Sequence, residues 1–163
     1  MNWRTKLLLV VIVISLIMIA SGCGTEAVST NQINSIEKGK IGIVIINKGS
    51  SYQEKFTDTG MISELIDNLN KVKVKKLSQA EDQKVLDSGN ALKKESTITL
   101  YFQPDNYSEA KSIAILFSEK ELYLPDIKSM QSSKYTASYI NDDDETTLKS
   151  IKTIYSLAEG ITK

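Results

Sequence analysis

The first 23 residues differ in composition from the rest of the chain, and they decide which part of it is available to form a folded domain. Arg4 and Lys6 precede an apolar run over residues 7–20, and small residues lead from that run to Cys23. A basic start, an apolar centre and small residues at the end are the three parts of a secretory signal. The run has about 14 residues, whereas a membrane-spanning helix needs roughly 20. A removed signal therefore fits this segment better than a permanent membrane-spanning anchor.

The end of this segment, Ala20-Ser21-Gly22-Cys23, resembles the lipobox of bacterial lipoproteins. The resemblance implies that the Cys23 thiol carries a diacylglyceryl group and that cleavage before Cys23 makes it the first mature residue. Two acyl chains give stable anchoring, whereas one chain binds membranes only marginally. We therefore expect a lipoprotein anchored to the cell membrane on its extracytoplasmic face, which is the outer leaflet in a Gram-positive cell.

The rest of the chain reads as one domain behind a tether. We predict a signal peptide over residues 1–22, a lipid-anchored polar tether over 23–38 and a single globular domain over 39–163. About 140 residues remain after cleavage, which suits one domain with a modest core. These residues carry 18 basic and 20 acidic side chains. No basic field is present to bind nucleic acid, and we expect no such partner.

The residue types missing after Cys23 exclude several chemistries. The chain has no histidine, its only cysteine is Cys23, and its only arginine, Arg4, lies in the signal. Ser-His-Asp and Cys-His catalysis, histidine-based zinc sites and bidentate arginine clamps are therefore excluded. We predict no catalytic residue, no cofactor and no metal ion.

Hydrophobic periodicity predicts an α+β fold. An alternating or continuous apolar pattern indicates strands, and apolar stripes spaced by three and four residues indicate helices. The result is an antiparallel-rich sheet of about five to six strands, with two main helices packed on one face. Strands are predicted over residues 40–47, 72–77, 96–103, 111–117, 121–124 and 135–140, and helices over 57–70, 78–86 and from the acidic run 141–145 to Gly160.

The acidic run over residues 141–145 has two interpretations. Carboxylates are the ligands that Ca²⁺ prefers, but the run lacks the spacing and the glycine of an EF-hand. Acidic side chains at the start of a helix also stabilise its free N–H groups. The second interpretation is favoured, with Asp142 and Glu145 as a capping pair.

Four tyrosines form the candidate interaction surface. The alternation of the predicted strands places Tyr101 and Tyr123 away from the core, and it places Tyr135 and Tyr139 together on one face of the last strand. Aligned in this way, the four rings would form an aromatic strip on the open face of the sheet, suited to a protein partner or a cell-wall glycan. The alternative is that these rings are half-buried in cross-strand packing.

Longer segments carry a second resemblance. From Val72 onward, the segments TITLYF, AILFSEKELYLPD and SYINDDDETTLKSIKTIYSLA resemble the small lipoproteins of Bacillus and relatives that carry a YhfM-like domain. The resemblance covers most of the chain after cleavage. It contains no catalytic motif and implies no activity, so no functional residue follows from it.

The sequence therefore predicts a membrane-anchored lipoprotein whose domain is a non-catalytic binding or interaction module. Two alternatives remain open. One is a cell-envelope hydrolase that uses carboxylates alone. Such an enzyme needs two acids about 5 to 9.5 Å apart, and Asp126, which follows Leu124 and Pro125, is the acid with the most apolar surroundings in the sequence. The other is an accessory subunit of a membrane complex.

Overall fold

A computed structural model describes residues 28–29, 36, 39–50, 52–87, 91–105, 110–125 and 138–162. Within these residues the chain forms a single sheet with helices on both of its faces. The strands are β1 (Val28–Ser29), β2 (Ile43–Lys48), β3 (Tyr52–Phe56), β4 (Lys73–Lys76), β5 (Ile98–Gln103), β6 (Ser112–Ser118), β7 (Glu121–Pro125) and β8 (Ser138–Asn141). The helices are α1 (Thr59–Leu69), α2 (Gln79–Asp87) and α3 (Glu145–Ile161), and a 3₁₀ turn spans Ala91–Lys93.

The sheet is antiparallel throughout and has the strand order β1-β4-β8-β7-β6-β5-β2-β3. The predicted α+β class is therefore confirmed, but the predicted number of about five to six strands is too low, since the described residues form eight. The two additional strands, β1 and β3, are the two edges of the sheet. The side chains of β3 are exposed from Tyr52 to Lys55, so this strand has no apolar face that a sequence pattern could reveal.

One face of the sheet carries the main core. The helices α1 and α3 pack on this face, as predicted, and on each other. Each contributes one apolar stripe, which is the reason that these segments fold as helices. The main core includes Ile62, Leu65, Ile66 and Leu69 of α1, Ile151, Ile154, Tyr155 and Ala158 of α3, and Val44, Ile46, Leu100, Phe102, Leu116, Leu122 and Leu124 of the sheet.

Side-chain caps fix where the helices begin. The Asp58 carboxylate accepts a hydrogen bond from the Met61 N–H at 2.8 Å at the start of α1. At the start of α2, the predicted capping box is present, because the Ser78 N–H donates to Glu81 at 2.8 Å and the Ser78 hydroxyl accepts from the Glu81 N–H at 3.4 Å. The end of α3 differs from the prediction, since this helix continues through Gly160 to Ile161.

The opposite face of the sheet, which we call the second face, has a smaller apolar cluster. Leu77, Ile115 and Tyr123 are buried there, and Val85 of α2 packs against them. The helix α2 therefore covers part of the face that the sequence predicted to be open. The rest of this face is not covered by a helix among the described residues, and it is where the candidate site lies.

Two points of the tether predicted over residues 23–38 belong to the folded domain. Val28 pairs with Val74 and Ser29 pairs with Lys73, which adds β1 to the outer edge of β4. Ile36 is 6% exposed and belongs to the main core. The polar composition of this segment conceals both contacts, because a two-residue edge strand and a single apolar anchor leave no periodic pattern.

None of the helices in the described part of the chain is both long enough and apolar enough to cross a membrane. Residues 1–22 and Cys23, on which the predicted signal and lipid attachment rest, lie outside the described residues.

Candidate ligand-binding groove

An apolar groove crosses the second face of the sheet beside α2. Its volume is about 480 Å³ and its floor is formed by the strands β2, β5, β6, β7 and β8. The described residues that line it share one property, which is that none carries a charge. They are Asn47, Gly49, Leu92, Thr99, Tyr101, Ile113, Ile115, Tyr123, Pro125 and Ser138.

Strand register brings the floor of the groove together. Tyr101 lies opposite Ile113, while Ile115 lies opposite Thr99 on one side and opposite Tyr123 on the other. Side chains directly opposite each other on antiparallel strands have Cβ atoms roughly 5 Å apart, so these rings and branched chains form one continuous surface. Successive side chains of β5 and β6 point to opposite faces of the sheet, so every second residue belongs to the main core and the residues between them line the groove.

A buried polar network forms the wall of the groove next to α2. The Tyr123 hydroxyl lies 2.7 Å from the Asp82 carboxylate of α2 and 2.8 Å from the Ser138 hydroxyl. A phenol has a single hydrogen, so Tyr123 donates to Asp82 and accepts from Ser138. The three residues are only 3%, 5% and 1% exposed, respectively. This network fastens α2 to β7 and β8 and satisfies polar groups that would be costly to bury alone.

The same wall is supported by an aromatic contact. The ring of Phe117 packs against the ring of Tyr123 with centroids 6.1 Å apart and planes inclined at 44°. The centroid separation lies within the range of about 4.5–7 Å over which aromatic rings interact favourably. The contact with Phe117 restricts the position of the Tyr123 ring, which lines the groove.

At the end of the groove opposite Tyr123 and Ser138, the lining comes from the turn after β2 and from the 3₁₀ turn. Gly49 has a φ of 57°, a left-handed conformation that favours glycine. Its N–H donates to the Thr97 carbonyl at 2.9 Å, and a Cβ at this position would lie 3.3 Å from the Lys94 carbonyl oxygen. The two turns can therefore approach closely, and Leu92, which is 46% exposed, projects at this end.

Asn47 places an unsatisfied polar atom in the groove wall. Its side-chain oxygen is buried and has no hydrogen-bond partner among the described residues. Burying an acceptor without a donor costs about 1–3 kcal/mol, so such atoms are rare in folded proteins. Asn47 is half-buried and lines the groove, where a rotation of its amide would present a polar group to a bound molecule.

The structure divides the four predicted tyrosines. Tyr101 and Tyr123 share the second face, as predicted, but Tyr123 is buried and only Tyr101 is half-exposed within the groove. The predicted alignment of Tyr139 with them is wrong, because Tyr139 lies opposite Leu124 and packs against the main core. Tyr135 lies outside the described residues. The aromatic strip is therefore replaced by a groove in which Tyr101 is one of several apolar walls.

The acidic run is a helix cap, as favoured, but Asp144 is the capping residue instead of Asp142. Its carboxylate accepts hydrogen bonds from the N–H groups of Thr146 and Thr147 at 3.1 and 3.2 Å and from the Thr147 hydroxyl at 2.6 Å. The Thr147 hydrogen bond, aided by the helix N–H groups, lowers the pKa of Asp144 below its ordinary value. The described residues contain no group of three potential metal ligands close together.

The lining residues within the described ranges include no acidic side chain, so those residues do not supply the carboxylate pair that a hydrolase would need. Asp126, the candidate acid from the sequence, lies outside the described residues. Asp82, which is buried, was not among the candidate residues predicted from the sequence. The one available signal was the spacing of Asp82 and Val85, which lie on the same side of α2.

No protein-family model, no curated protein and no solved structure matches this chain.

Proposed function

We propose that this protein is a membrane-anchored extracytoplasmic lipoprotein whose domain is a non-catalytic binding module, with the groove on the second face as its ligand surface. The observation that supports the binding role is the groove itself, a concave apolar surface of about 480 Å³ bordered by Asn47 and Tyr101. Sites for small molecules are typically concave, mostly apolar and equipped with a few polar groups. The anchor rests on the lipobox pattern around Cys23.

The uncharged lining restricts the ligand. A charged group placed in an apolar groove needs an opposite charge to compensate for the loss of water, and none of the lining residues in the described part of the chain provides one. The part of the ligand inside the groove is therefore neutral and largely apolar. An uncharged protein segment with apolar side chains, one of the two partner classes expected from the sequence, meets this condition. A neutral glycan, the other class, meets it only through the apolar faces of its sugar rings, which can stack on an aromatic side chain such as Tyr101.

A neutral dye tests the groove directly. Nile red, which fluoresces in apolar surroundings, is added to the purified protein and to the variant Ile113→Lys. Ile113 is a half-buried residue on the floor of the groove. The control is Leu157→Lys, which changes a half-buried aliphatic residue of α3 on the other side of the sheet.

We expect the native protein and Leu157→Lys to enhance the dye fluorescence and Ile113→Lys to lose the enhancement. Circular dichroism checks that both variants remain folded. Equal enhancement by both variants would contradict the assignment of the groove. The anchor has a separate test, since Cys23→Ala should release the protein from the membrane fraction, and unchanged retention would contradict lipid attachment.

A further inference from the structure

The pairing of β1 with β4 limits how far the domain can lie from its lipid. Cys23 is five residues before Val28, and Val28 is held opposite Val74 at the outer edge of β4. A fully extended chain spans at most about 3.6 Å per residue, so the Cys23 Cα lies within about 18 Å of this edge. The tether of 16 residues predicted from the sequence would have allowed the domain much more freedom.

The register also determines which part of the domain lies nearest to the lipid. Because β1 and β4 are antiparallel, with Val28 opposite Val74 and Ser29 opposite Lys73, the N-terminal end of β1 is directed toward Lys75 and Lys76. The other edge of the sheet is β3, seven strand spacings away. At about 4.8 Å per spacing, the two edges are about 34 Å apart.

We infer that the edge formed by β1 and β4 is the membrane-facing surface of the domain and that its partner is the layer of phospholipid headgroups. This inference rests on the lipidation of Cys23 proposed above. The short connection holds the β1–β4 edge at the headgroups, while β3 lies toward the outside. The groove extends from Ser138 on β8, next to β4, to Asn47 on β2, next to β3, so it runs from the membrane-facing edge toward the outer edge.

The side chains at this edge suit a headgroup layer. Lys71, Lys73, Lys75 and Lys76 are all exposed. Lysine extends a long apolar stem with a terminal ammonium group, which can reach phosphate oxygens at an interface. Acidic neighbours offset part of this charge, since Asp144 lies near Lys73 and Glu81 lies near Lys75. The edge is thus a mixed polar surface, and the short tether, more than net charge, holds it at the membrane.

The chain allows a clean measurement because Cys23 is its only cysteine. Once Cys23 carries lipid, a cysteine introduced elsewhere is the only free thiol and accepts a fluorescent label at one position. The two variants are Lys76→Cys on β4 and Lys55→Cys on β3, which replace exposed lysines on opposite edges of the sheet. Each lipidated full-length product is reconstituted into vesicles of phosphatidylcholine and phosphatidylglycerol that contain a nitroxide quencher on the headgroup.

We expect the label at position 76 to lose most of its fluorescence and the label at position 55 to retain it. Equal quenching of both labels, or stronger quenching at position 55, in protein that floats with the vesicles would overturn the inference while leaving the anchor intact. Failure of the unlabelled protein to float with the vesicles would instead refute the anchor, and the inference with it.

Discussion

Replacing Tyr123 with phenylalanine removes one oxygen from the buried network that fastens α2 to the sheet. The ring, its contact with Phe117 and its apolar surface are retained, so the substitution isolates the role of the hydroxyl group. Two hydrogen bonds are lost, at 2.7 Å to Asp82 and at 2.8 Å to Ser138. The Asp82 carboxylate, which is 5% exposed, loses a buried donor.

The expected cost follows from the burial of both partners. A hydrogen bond to a charged group contributes about 1.5–3 kcal/mol, and a buried carboxylate left short of donors adds a further desolvation cost. We expect Tyr123→Phe to lower the free energy of unfolding by about 2–4 kcal/mol. With a urea m-value of about 2 kcal/mol/M, the unfolding midpoint should fall by about 1–2 M.

The assay is urea unfolding followed by circular dichroism, with Tyr155→Phe as a matched control. Tyr155 is 8% exposed, and its hydroxyl donates a hydrogen bond to the uncharged Ser96 carbonyl at 2.9 Å. Its loss should cost only about 1 kcal/mol. If Tyr123→Phe destabilises the protein no more than Tyr155→Phe does, the buried network does not hold α2 on the sheet.

Three further predictions concern other parts of the domain. Asn47→Leu removes the unsatisfied acceptor and should raise the free energy of unfolding by about 1 kcal/mol, measured by the same urea titration; a loss of stability would show that the amide has a partner. Asp144→Ala should lower the melting temperature at neutral pH. Because the Thr147 hydroxyl lowers the folded-state pKa of Asp144, its stabilisation is present above the unfolded pKa of about 3.9 and is lost as the pH falls through the folded pKa. The difference from the native protein should therefore narrow in acid, and a constant difference from pH 7 to pH 2 would contradict the cap. Gly42→Ala should change the free energy of unfolding by less than about 1 kcal/mol, because the added Cβ would overlap only the carboxylate of Asp105, an exposed flexible side chain that can rotate away; a loss of several kcal/mol that Asp105→Ala rescues would contradict this expectation.

The elements that bury an apolar face could be predicted from the sequence, and the elements at the edges could not. The apolar residues of the helix α1 and of the strand β5 recur with the spacing typical of a helix and of a strand, respectively. The observed ends of both elements agree with the prediction within about two residues, as expected for element ends. The strand β3 makes its contribution through backbone pairing with β2, which leaves no trace in the order of apolar and polar residues.

The candidate site depends on which side chains of neighbouring strands lie on the same face of the sheet. Alternation shows that the side chains of Tyr139 and Ile140 point to opposite faces of the sheet. Both side chains are half-buried, so the pattern does not show which of them faces the main core. Only the register decides, and it places Ile140 beside Tyr123 and Tyr139 beside Leu124. Asp82 was missed for a related reason, because its burial depends on α2 crossing the second face instead of the first.

The proposed binding role depends on the groove, and NMR of the backbone amides during a ligand titration shows which residues a bound molecule contacts. The probe is 4-butylphenol, which is neutral, largely apolar and carries one hydroxyl group. We expect the chemical-shift changes to concentrate at Thr99, Tyr101 and Ile113 on the second face. An absence of shifts, or shifts that concentrate around Leu157 on α3, would contradict the proposed binding role.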